Sequence, residues 1–73
     1  MEPKEIFDLI VKADEALKYA TDDKAPARIR RARDFLIRAR DEARAIGNQP
    51  LVDQADRRLA DLESLPGAAG SAS

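Results

Sequence analysis

Apolar and polar residues follow the period of an α-helix in three separate stretches of this chain. The longest lies between Pro26 and Ile46, where Ile29, Ala32, Phe35, Leu36, Ala39, Ala43 and Ile46 recur mostly at steps of three and four. At about 100° per residue they share one side of a helix. The spacing predicts a helix over 26–46, roughly 30 Å long at ~1.5 Å per residue. Before it, Ile6, Leu9, Ile10, Ala13, Ala16, Leu17 and Ala20 form a second stripe, which predicts a helix over about 4–20. Pro3 suits its first turn, and Glu2 and Glu5 suit the positive end of its dipole. After it, Leu51, Val52, Ala55, Leu59 and Leu62 form a third stripe, which predicts a helix over about 50–65 with Leu65 closing the end of the core.

The breaks fit these limits. Thr21, Asp22 and Asp23 are turn and N-cap residues, and Pro26 follows where a helix can start. Gly47 suits the left-handed position that ends a helix, with Asn48 or Gln49 as the next cap and Pro50 in the next first turn. Both connections are short, so consecutive helices run antiparallel. The expected fold is therefore all-α: a three-helix, antiparallel, up-down-up bundle over residues 1–65. Residues 66–73, PGAAGSAS, carry no charge and no large side chain, and are expected to be a flexible, disordered tail or linker.

Composition sharpens this picture. The chain has 73 residues, enough for one domain. Alanine is abundant and β-branched residues are few, which favours closely packed helices over strands. The net charge is −1 although 37% of residues are charged, so no overall field attracts nucleic acid or an acidic membrane. No apolar run approaches the ~18 residues of a membrane span, and no basic-then-apolar leader opens the chain. A cytoplasmic location is expected.

The charge is unevenly shared. Between 26 and 46, seven arginines oppose Asp34, Asp41 and Glu42, a balance of +4, while 2–20 and 49–65 each carry −2. That arrangement suggests internal charge matching, with Asp34 and Arg38 as an i,i+4 pair. Arg30, Arg33, Ile37, Arg40 and Arg44 fall within about a quarter of the helix circumference. This strip is either a solvated face partly neutralised by acids of the flanking helices, or a docking face for an acidic protein segment. Contact with a nucleic-acid backbone is disfavoured, because aromatic platforms for bases are lacking. Phe7 and Val11 stand off the apolar stripe of the first helix. They either cover the open end of the bundle or meet a partner.

Reactive groups are scarce. The chain has no His and no Cys, which removes the commonest general base, metal ligand and thiolate nucleophile. Thr21, Ser64 and Tyr19 are the hydroxyls outside the tail, and none stands beside a base that would activate it. Asp22-Asp23 and Asp41-Glu42 lack the spaced ligands of a calcium loop, and no glycine loop cradles phosphate. No enzyme activity, cofactor or metal is expected.

The run from Ala32 to Asn48, with Ala32, Phe35, Ala39, Ala43 and the Gly47-Asn48 turn, followed by Leu51, Ala55, Leu59 and Ala60, resembles tetratricopeptide-like helical repeats. The Trp and the Gly-Tyr pair typical of the first repeat helix are absent, and three helices make only one and a half repeats. A three-helix unit of this length also resembles the microtubule-interacting-and-transport domain, which holds amphipathic peptides between its helices. Both resemblances imply a module that binds proteins. The expected function is a non-catalytic interaction or assembly module that docks a helix, a peptide or a second copy as a homodimer. Phe7, Val11 and Ile37 would supply apolar contact, and Arg30, Arg33, Arg40 and Arg44 would orient acidic groups. Anion or nucleic-acid backbone binding through the arginine strip is the alternative.

Overall fold

In the computed structural model, residues 1–18 and 25–64 are described. Three helices account for almost all of them: α1, Pro3–Lys18; α2, Ala25–Ala45; and α3, Gln49–Glu63. No strand occurs among the described residues. The helices form the expected up-down-up bundle, and their limits match the apolar stripes to within a residue or two. Tyr19, Ala20, the Thr21–Asp23 turn, Leu65 and the 66–73 segment lie outside the described residues.

Local chemistry explains where α1 and α3 begin and where α2 ends. Ile6 donates its backbone N–H to the Glu2 carbonyl at 3.0 Å, which makes Glu2 the cap of α1 and Pro3 its first residue. The Glu5 carboxylate reaches back to accept the Glu2 N–H at 3.0 Å, half of a capping box. At the same end of the bundle, α2 stops at Gly47, whose φ of 69° favours a residue without a Cβ. The Gly47 N–H donates to the Arg44 carbonyl at 3.1 Å and the Asn48 N–H to that of Ala43 at 2.9 Å. This paired closure satisfies carbonyls that the helix end would leave open. Asn48 then caps α3, its side-chain oxygen accepting the Leu51 N–H at 3.2 Å, with Pro50 in the first turn. One residue thus closes one helix and opens the next.

The core is made of Ile6, Leu9, Ile10 and Ala13 from α1, Ile29, Ala32, Leu36, Ala39 and Ala43 from α2, and Leu51, Val52, Ala55 and Leu62 from α3. No polar or charged residue is buried among those described, so the core carries no desolvation debt. Three of the five buried α2 residues are alanines, which lets α1 and α3 approach its backbone. α2 packs extensively against both neighbours, whereas α1 and α3 touch little. The bundle is thin as a result, with Cα extents of 36 × 21 × 13 Å.

Five described stripe positions fall outside the buried core: Ile46 is exposed, and Ala16, Leu17, Phe35 and Leu59 pack against the edge. Ile46 is 42% exposed rather than buried. It follows the last residue of α2, where the chain has already turned away, and α1 starts about one turn lower, with the Met1 amine 3.7 Å from Glu42. Phe35 is half-buried, packed against the edge of the core.

Two substitutions test this account. Leu36→Ala empties a fully buried site at the centre of α2 and should cost about 2–5 kcal/mol. Against a net stability of about 3–5 kcal/mol for a core this small, the far-UV circular dichroism melt should lose most of its cooperative transition near room temperature. Gly47→Ala meets open space but keeps the left-handed backbone, so it should lower urea stability by about 1 kcal/mol. Gly47→Asn should cost clearly less.

Candidate functional site

The seven residues expected to bind a partner lie on two different surfaces. Phe7 and Val11 are spaced four apart on α1, 47% and 37% exposed, and outside the core cluster. Phe7 therefore does not close the end of the bundle. The same flank of α1 carries Asp14, which reaches α3. Arg58 Nε donates to Asp14 Oδ1 at 3.2 Å and to Oδ2 at 3.3 Å, and a second Arg58 nitrogen reaches the Gln54 carbonyl at 3.5 Å. This bridge links α1 and α3, which otherwise touch little. Because α1 and α3 run parallel, the 44-residue offset of the bridge sets Phe7 about level with Leu51 and Val11 about level with Ala55. Phe7 and Val11 thus stand exposed at the levels of Leu51 and Ala55, on the outer part of the α1 flank that carries Asp14.

The arginine strip is elsewhere. On α2, the buried sector faces α1 and α3, with Phe35 and Arg31 on the α1 side. Arg30, Arg33, Ile37, Arg40 and Arg44 lie on the opposite flank, beyond α3. Arg33, Ile37 and Arg40 are half-buried, while Arg30 and Arg44 are exposed. The structure does not unite this strip with Phe7 and Val11.

The expected charge matching between helices is not formed. Among the described residues, no α2 arginine makes a salt bridge to α1 or α3. Arg40 pairs instead with its neighbour Asp41, 3.3 Å away. Asp34 and Arg38 make no bridge either. Both are exposed, and the entropy of holding two solvated side chains together offsets most of the Coulomb gain.

A second group was not evident from the sequence. Lys12, Glu15 and Ala16 of α1 and Arg28, Arg31 and Phe35 of α2 line an open cleft of about 360 Å³. The Arg31 guanidinium carbon sits 5.9 Å from the Phe35 ring centre, within cation–π range. Arg28 Nε is buried with no hydrogen-bond partner. The signal was present in part, since Arg28, Arg31 and Phe35 follow an i, i+3, i+7 spacing. Only packing brings Lys12 and Glu15 of α1 to the same place.

Among the described residues no group of His, Cys, Asp or Glu side chains converges as a metal site, and no helix is long and apolar enough to cross a membrane. Comparison with family models, curated proteins and solved structures finds no match. The tetratricopeptide-like and microtubule-interacting-and-transport-like resemblances thus rest on the chain's own residues.

The Asp14–Arg58 bridge is partly exposed, 50% and 32% for the two side chains. A double-mutant cycle with Asp14→Ala and Arg58→Ala, followed by urea unfolding, should return a coupling of about 0.2–1 kcal/mol that shrinks in high salt. A larger coupling would mean that this contact, rather than the apolar core, holds α1 and α3 in place.

Proposed function

We propose that this protein is a small, non-catalytic helical module that docks an amphipathic helix, a peptide or a second copy of itself. The observation that carries this reading is the pair Phe7 and Val11, exposed one turn apart on the same face of α1. Helix α1 already buries Ile6, Leu9, Ile10 and Ala13 in the core, so a second apolar face has no task within the bundle. Apolar surface that clusters in this way is the usual ground for contact between proteins. Two apolar side chains one helical turn apart suit the apolar face of another helix laid along α1.

The arginine strip of α2 favours a second reading, an anionic surface or nucleic-acid backbone as partner, because Arg30, Arg33 and Arg44 form no salt bridge among the described residues. Binding of that kind rests on displaced counterions and weakens steeply with salt.

Two measurements test the first reading. Sedimentation equilibrium reports self-association, and selection from a library of amphipathic helical peptides, followed by chemical-shift mapping, reports docking. Binding should map to Phe7, Val11 and Gln54, should persist from 50 to 300 mM salt, and should be lost in the Phe7→Ser, Val11→Ser variant with no drop in thermal stability. A chain that stays monomeric and selects no peptide would refute it. Loss of all binding on raising the salt would favour the arginine strip.

A further inference from the structure

The cleft between α1 and α2 is a separate surface from the exposed face that carries Phe7 and Val11. Its floor is the Phe35 ring and the Ala16 methyl, and its rim carries Lys12, Arg28 and Arg31 against a single acid, Glu15. None of these four charged side chains makes a salt bridge among the described residues. Three cations therefore meet one carboxylate around an apolar floor.

The geometry of Arg28 and Arg31 adds direction to that charge. Arg28 is half-buried at the cleft, its Nε shielded and without a hydrogen-bond partner. Arg31 is held against the Phe35 ring, 5.9 Å from its centre, which limits its conformers before anything binds. Arg28 and Arg31 are three residues apart and so project from the same side of α2.

We propose that this cleft binds an acidic peptide segment, with an aspartate or glutamate carboxylate between Arg28 and Arg31 and a neighbouring apolar side chain against Phe35 and Ala16. A carboxylate matches the planar fork of a guanidinium and accepts two hydrogen bonds from it. The apolar floor calls for an apolar neighbour, which an inorganic anion does not bring. Glu15 on the rim repels the dense, continuous charge of a nucleic-acid backbone, but tolerates a peptide whose acids alternate with other residues. The cleft is open along its length, so a ligand spanning several residues covers it where a small acid would leave it wet. This assignment deepens the docking reading by giving it a second face and a partner chemistry, and it stands or falls on different residues.

The test uses the full chain, isotopically labelled, and three synthetic peptides of one length. The first alternates Glu with Leu and Ala, the second replaces every Glu by Gln, and the third replaces every Glu by Lys. Acetate and inorganic phosphate serve as small-anion probes. The Glu peptide should shift the resonances of Ala16, Arg28, Arg31 and Phe35. The Gln peptide should bind at least about tenfold more weakly, the value of one charge-assisted hydrogen bond, and the Lys peptide should not bind. Arg31→Gln and the exposed-site change Lys12→Gln should each weaken the Glu peptide, whereas Phe7→Ser with Val11→Ser should leave it unchanged. Equal binding of the Glu and Gln peptides, shifts confined to the Phe7 face, saturation by acetate or phosphate at peptide concentrations, or no binding at all would each overturn the assignment. A Glu peptide that fails while library peptides still dock on Phe7 and Val11 would remove this site and leave the docking function standing.

Discussion

The structure depends on α2 burying one narrow stripe between two neighbours at once. Five residues do this, Ile29, Ala32, Leu36, Ala39 and Ala43, and three of them have only a methyl group to bury. Small side chains bring the backbones of α1 and α3 close, and Leu36 fills the centre of the space between them. The bulk of the core is then supplied from outside, by Ile6, Leu9 and Ile10 on one helix and Leu51, Val52 and Leu62 on the other. With alanine in the middle and branched side chains at the edges, α1 and α3 both lean on α2 and have little left to offer each other.

That division shapes the surface. α1 and α3 meet only lightly and are bridged at one level by Asp14 and Arg58. Because the stripe on α2 is narrow, both of its flanks are free to carry arginine. One flank holds Arg28 and Arg31 beside α1, and the other holds Arg30, Arg33, Arg40 and Arg44 beyond α3. The polar surface adds little to stability. The few ion pairs among the described residues are at least partly exposed, and pairs of that kind contribute about 0–1 kcal/mol. Arginine in this protein is thus placed where it can meet something else.

The α2–α3 corner shows how few residues a sharp connection needs. Gly47 supplies the left-handed backbone, Asn48 closes the carbonyl of Ala43 and caps the N–H of Leu51, and Pro50 fixes the first turn of α3. The corner brings α3 back along α2 with no long loop, and so sets the parallel register of α1 and α3 on which the Asp14–Arg58 bridge depends.

Helix number, helix limits, the up-down-up order and all thirteen core residues can be read from amino-acid order alone; the structure adds no core residue outside the three stripes and only shifts Phe35, Leu59, Ala16 and Leu17 to its edge. These features are local: a 3.6-residue period, a glycine that tolerates positive φ, a proline that fits a first turn. What order along the chain could not decide is which flank of one helix faces which flank of another. The expected matching of α2 arginines to acids of α1 and α3 failed for that reason, since net charge per helix says nothing of distance. Ile46 kept the stripe's phase yet lost its cover, because burial requires a neighbour at that height. Phe7 and the arginine strip looked like parts of one site and lie apart, while Lys12 and Arg28, sixteen positions apart in the chain, share a cleft. Rotation of each helix about its own axis is set by how alanine and leucine interlock across the interface, and only the packed structure fixes it.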